Sequence, residues 1–148
     1  MRYPYSKALL GGALISIVPA FVVTFLTNLF PSVQSQNLEV VNNIFGVETY
    51  GLLQYFMLFC IIVLSPLIEE AFFRGALWNF MLRFFKEKTV YIVISILFAL
   101  VHIDLLHIVG LLPISFLLGW FKYKTGNFKA SLMCHMSNNL VACIIMMV

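Results

Sequence analysis

Long apolar blocks separated by short polar stretches dominate this chain. A helix that crosses a bilayer needs about 20 mostly apolar residues. Five blocks approach or meet that length: Ala8 to Phe30, Tyr50 to about Ile68, Thr89 to about His102, about Leu105 to Phe121, and Phe128 to Val148. The pattern predicts an all-α fold, a polytopic membrane helix bundle of about five transmembrane helices. After the second block a helical pattern continues from Glu69 to Phe85, with aromatics at Phe72, Phe73, Trp78, Phe80, Phe84 and Phe85. It reads as an interfacial helical extension of that span. Pro31 to Thr49 is the one long polar connection. No internal repeat is visible, and residues 1–148 read as a single membrane domain, with a first span over 8–30 and a core over 50–148.

Composition sharpens the picture. Of 148 residues, 62% are hydrophobic and 10% charged, against about 45–50% and about 25% in ordinary soluble domains. That leaves too few polar residues to cover a soluble surface, and the mean hydropathy of +1.01 agrees. A soluble domain and a disordered tail are excluded, and a net charge of +3 is too small for a nucleic-acid binder. The lipid bilayer is the expected partner. Arg2 and Lys7 precede the first block as in a signal peptide, but its apolar stretch is longer than a signal core, which predicts an uncleaved span. The three cysteines (Cys60, Cys134, Cys143) lie inside apolar blocks without close spacing and read as packing residues.

The basic residues then predict orientation. Arg2 and Lys7 lie before span one, Arg83, Lys86 and Lys88 between spans two and three, and Lys122, Lys124 and Lys129 between spans four and five. These are eight of the nine Lys and Arg residues, all on alternate connections. The opposite connections carry Glu39, Glu48 and Asp104 and no Lys or Arg. The positive-inside rule predicts a multi-pass protein of the cell membrane with a cytoplasmic N-terminus and an external C-terminus.

The ninth basic residue, Arg74, sits with Glu69 and Glu70 in a membrane-level helix. An ionised group at the bilayer centre costs about 2.5–3.5 kcal/mol on insertion scales, so such groups are paired, near the interface, or functional. Glu70 and Arg74 are four apart on one face and are expected to pair, as an ion pair near the cytoplasmic interface. Glu69, rotated by about 100°, is left to point elsewhere. Pro66 just upstream can bend the helix that presents them. Phe98 and His102 share a face of span three, and His135 and Asn139 share a face of span five. Polar groups in a bundle turn inward, and convergence satisfies them better than scattering. Two chemistries fit a Glu, two His and an Asn. Glu69, His102 and His135 are plausible ligands of a divalent metal such as zinc. Without a metal, Glu69 is a general base on a water steered by His102, with His135 and Asn139 donating to an oxyanion. Both describe hydrolysis of a carbonyl compound, most simply a peptide bond.

Three motifs stand in order on these helices: EExxxR at Glu69 to Arg74, FxxxH at Phe98 to His102, and HxxxN at His135 to Asn139. The set resembles the CPBP family of intramembrane proteases, which includes CAAX prenyl endopeptidases and bacterial relatives linked to bacteriocin self-immunity and peptide processing. The resemblance covers about residues 50 to 148. It implies that Glu69 and His102 activate water, that His135 and Asn139 stabilise the oxyanion, and that Glu70, Arg74 and Phe98 shape the site. Metal dependence stays open, with the glutamate-activated water favoured because Asn suits an oxyanion better than zinc. The expected substrate is a membrane-associated peptide or protein, lipidated or simply apolar. One span before the motif helices is fewer than in many family members, which leaves oligomerisation open. Two other readings stand behind this one: a non-catalytic immunity or binding protein on the same scaffold, and a small transporter or proton relay.

The depths pull apart. His102 lies about 13 residues, roughly 20 Å, from the cytoplasmic start of span three, and His135 about 7 residues, roughly 10 Å, into span five. A strong tilt or a later start of span three would bring them level. Asp104 and His107 read as a solvated external turn, and Asn138 as an interhelical hydrogen-bonding residue. Ala71/Gly75 and Ser115/Gly119 read as close-approach pairs, and Trp78, Trp120 and Tyr123 as an aromatic belt.

Overall fold

The computed structural model describes residues 5–29, 51–102 and 105–147. Every regular element in them is helical. The expected loop Pro31 to Thr49, with Glu39 and Glu48, lies outside the described residues, as does Asp104; the His107 side chain is also outside the description.

The first apolar block divides into two helices, α1 (Tyr5–Ile15) and α2 (Ile17–Leu29). Pro19 has no N–H to give the Ile15 carbonyl, which weakens the ladder at this point. The Ser16 hydroxyl turns back to the Ala13 carbonyl at 2.7 Å where the chain breaks. The second block and its extension form one continuous helix, α3 (Leu52–Met81). At 30 residues it is about 45 Å long, more than the roughly 30 Å hydrocarbon core. Among the described residues it is the one helix both long and apolar enough to cross a membrane. α1, α2 and α4 (Glu87–Leu100) have 11, 13 and 14 residues, each too few to span on its own without thinning of the bilayer. α5 (Leu105–Thr125) and α6 (Phe128–Met147) follow.

The extension expected at the interface is instead part of the bundle. Phe73, Arg74 and Trp78 on the second half of α3 are buried, so Trp78 is a core residue and not part of an aromatic belt. Its first eight residues, Leu52–Phe59, bury nothing. The core joins Phe73 and Trp78 to Val90, Ile94 and Phe98 of α4, Ile114, Leu118 and Phe121 of α5, and Ala130 and Cys134 of α6. Gly126 turns α5 into α6 with a φ of 67°, a conformation glycine adopts without penalty.

Two glycines let helices touch. α1 lies along α6 so closely that a Cβ on Gly12 would sit 2.0 Å from the Cys134 carbonyl oxygen. A Cβ on Gly119 of α5 would meet the Ser95 hydroxyl at 2.5 Å and the Tyr91 ring at 2.9 Å on α4. The Ser115/Gly119 pair therefore does serve close approach. The Ala71/Gly75 pair does not: Ala71 is exposed, and the nearest atom to a Cβ on Gly75 is the Glu70 carbonyl of its own helix, at 3.8 Å. Overpacking usually costs about 1–3 kcal/mol. Gly12 opposes backbone, which cannot rotate away, whereas Gly119 opposes side chains. Gly12→Ala is expected to lower the thermal midpoint in detergent more than Gly119→Ala, and melting curves of the two variants check this order.

Candidate active site

The middle of α3 departs from α-helical register twice, at Cys60–Leu64 and again at Ala71–Leu77, where the backbone winds as π-helix. π-turns widen the helix locally and are frequent at functional sites. Between them the short α-helical turn Ser65–Glu70 carries the two adjacent carboxylates. They face different surroundings, as their 100° offset requires.

Glu70 is completely buried. Its Oε1 accepts from Arg74 Nη1 at 3.0 Å and from His135 Nδ1 at 3.0 Å, while Oε2 accepts from the Ser131 hydroxyl at 2.5 Å. The expected Glu70–Arg74 pair forms, but at zero exposure for both side chains. Arg74 Nη2 continues to the Ser115 carbonyl at 3.2 Å and hydroxyl at 3.1 Å on α5, and Ser115 donates in turn to the Ser95 carbonyl of α4 at 2.7 Å. The Arg74 guanidinium also stacks 4.1 Å from the centroid of Phe98. One ionic chain thus joins four helices.

Glu69 is held differently. Its Oε1 accepts from the Ser65 hydroxyl one turn earlier. Its Oε2 lies 3.9 Å from His135 Nε2, wider than a hydrogen bond. Glu69, Phe98, His102, His135 and Asn139 all line one cavity of about 530 Å³ between α3, α4, α5 and α6. Phe98 is its hub, with ring centroids 5.4 Å from His102 and 5.6 Å from His135.

Each histidine has one ring nitrogen on a described acceptor. A carbonyl oxygen only accepts, so His102 Nδ1 carries a hydrogen and donates it to Phe98 at 2.9 Å. His135 Nδ1 donates to the Glu70 carboxylate, which leaves Nε2 on the Glu69 side. Asn139 donates one amide hydrogen to the Ile61 carbonyl at 2.9 Å, and its Oδ1 accepts from Asn138 at 3.1 Å. Asn138 therefore bonds its neighbour on α6 rather than another helix.

The depth mismatch resolves through the cavity's length, not through a late start of α4, which begins at Glu87. Along α6 the cavity runs from His135 past Asn139 to Ala142 and Cys143, about 12 Å at 1.5 Å per residue. That reach matches the offset between the two histidines. As for a metal, no group of three or more His, Cys, Asp or Glu side chains among the described residues is gathered to hold an ion. The donor set Glu69, His102, His135 is not closed around one point as it stands. Ser65, Ser115 and Ser131 were not expected at the site. Ser65 lies four residues before Glu69 and Ser131 four before His135, and that spacing was the signal available for both.

With this geometry in place, comparison with known proteins gives one finding of weight. The family model for type II CAAX prenyl endopeptidase Rce1-like proteins matches residues 51–141. The chain belongs to this family. The match begins at the foot of α3 and ends within α6, so it contains every residue that lines the cavity except Ala142 and Cys143. The Rce1-like family is a family of membrane-embedded proteases, and this chain is a CAAX-type membrane protease by membership. No curated protein and no solved structure matches.

The burial contrast between the two carboxylates separates their structural roles. Removing one partner of a buried ion pair leaves an uncompensated charge and costs about 3–5 kcal/mol. Glu70→Ala is expected to destabilise the fold by that amount, whereas Glu69→Gln, whose side chain is 27% exposed, should leave the melting temperature within a few degrees of wild type. Parallel thermal denaturation in detergent decides the matter.

Proposed function

We propose that this protein is an intramembrane endopeptidase that hydrolyses a peptide bond of a membrane-associated peptide or protein through a water activated by Glu69 and His102. The observation that carries the reading is the meeting of Glu69, His102, His135 and Asn139 on one cavity, beside a Glu70 that is fully committed elsewhere. Ser65 occupies Glu69 Oε1, which makes Oε2 the oxygen that takes a proton from water. His102 accepts the water's second hydrogen and aims the oxygen pair at the carbonyl carbon.

As the water oxygen bonds to carbon, charge builds on the carbonyl oxygen. The second amide hydrogen of Asn139 and Nε2–H of His135 donate to it. Since Nδ1 of His135 already donates to Glu70, an Nε2–H requires the doubly protonated ring, and the Glu70 carboxylate is the counter-charge for that form. When the C–N bond breaks, Glu69 returns its proton to the departing amine.

The same reading carries the topology drawn from the charge pattern. It has five passes, a cytoplasmic N-terminus and an external C-terminus. The apolar walls at Leu64, Ile68 and Leu111 suit an apolar or lipid-modified chain end.

In the source cell, three strains test this: wild type, a deletion, and the deletion complemented with Glu69→Gln at matched abundance, each profiled for membrane and secreted peptides. The same peptides are expected to change in the deletion and in Glu69→Gln. A Glu69→Gln strain indistinguishable from wild type sinks the mechanism and favours a non-catalytic immunity or binding role. With the purified protein and a peptide so identified, Asn139→Ala should lower kcat by about 10²–10³, the usual effect of losing one oxyanion donor.

A further inference from the structure

Asn139 is placed by a hydrogen bond that a regular α-helix would not offer. In an α-helix the Ile61 carbonyl belongs to the N–H of Ser65, four residues on. Here the Ser65 N–H reaches back five residues to the Cys60 carbonyl. Ile61 is then left to the next position in the five-residue register, which is Pro66, and proline has no N–H. The carbonyl without a helical donor is therefore that of Ile61, a residue that lines the cavity, and Asn139 Nδ2 donates to it at 2.9 Å. Pro66 itself is fully buried.

We propose that Pro66 is a positioning residue for Asn139: by withholding a backbone N–H it keeps the Ile61 carbonyl open to the amide and so fixes which end of that amide faces the oxyanion. The two ends of an Asn side chain are nearly alike in shape, and only their partners distinguish them. The Ile61 carbonyl can only accept, so it holds Nδ2, and the Asn138 amide at 3.1 Å holds Oδ1 on the other side. A backbone N–H at position 66 would compete for the Ile61 carbonyl. Asn139 would then be free to turn its oxygen, an acceptor, toward the developing negative charge. The catalytic consequence rests on the oxyanion role given to Asn139 above; the orientation of the amide does not.

The test compares two variants of the full chain in detergent or nanodiscs that differ in one atom group. Pro66→Ala restores an N–H. The lactic-acid analogue at the same position has the alanine side chain with an ester oxygen in place of N–H. The Asn139 side-chain amide is followed by NMR with ¹⁵N-Asn labelling and assigned by its loss in Asn139→Ala. In wild type and in the ester variant its hydrogens are expected to be protected from exchange; in Pro66→Ala they should exchange about tenfold faster. With a cleavable peptide, Pro66→Ala should lower kcat about tenfold with little change in KM, the ester should restore it, and Pro66→Ala should add nothing in an Asn139→Ala background. A Pro66→Ala protein that fails to fold while the ester variant folds also supports the N–H account.

Unchanged amide protection in Pro66→Ala overturns the proposal, as do equal losses in both variants or failure of both to fold, since the ring would then be what the position needs. A wild-type chain with a protected amide but no cleavage of any peptide would overturn the protease mechanism alone.

Discussion

A carboxylate with no exposed surface sits in the middle of this membrane protein, and the arrangement of the site follows from how it is satisfied. Glu70 takes hydrogen bonds from Arg74, Ser131 and His135, three donors on two helices. Desolvating an ion costs several kcal/mol, which only well-aligned partners offset. The partners cannot be moved independently: Arg74 also holds Ser115 on α5, and Ser115 holds Ser95 on α4. Satisfying one buried charge thus fixes the relative positions of four helices.

The geometry of the cavity is built on that base. With Glu70 committed to structure, its neighbour Glu69 is turned to the cavity, and His135 stands between the two, Nδ1 bonded to Glu70 and Nε2 toward Glu69 at 3.9 Å. Charges alternate along Arg74, Glu70, His135 and Glu69 when the ring is doubly protonated. Phe98 fills the space among them, with Arg74 over its face and both histidines beside it. A planar apolar ring there excludes water from the ion pair while leaving the cavity side of Glu69 reachable.

Much of this was legible in the sequence because helical spacing is a strong constraint. Glu70 with Arg74, Phe98 with His102 and His135 with Asn139 are each four apart, and each pair shares a face in the structure. The helices α4, α5 and α6 fall close to their apolar blocks. What the pattern did not show has physical causes. Hydropathy cannot see that Ser16 and Pro19 interrupt an apolar run, so α1 and α2 read as one unbroken helix. It cannot tell an aromatic in an interfacial belt from one in a core, so Trp78 was placed outside the bundle it fills. Nor can it see hydrogen bonds between serines and carboxylates on different helices, because a serine is polar enough to be noticed and small enough to be dismissed. The π-turns of α3 were also invisible, since the apolar pattern is the same in either register.

The family match starts at residue 51, yet the segment before it is built into the site's far side. α1 presses its Gly12 onto the Cys134 carbonyl, and Cys134 immediately precedes His135. The Ser137 hydroxyl on the same helix donates to the Leu9 carbonyl of α1 at 2.8 Å. The matched stretch is thus not a detachable module in this chain. Excised at its own boundaries it would expose the back of the helix that carries His135 and Asn139, and a transplant of the site into another scaffold would have to bring a glycine-notched helix with it.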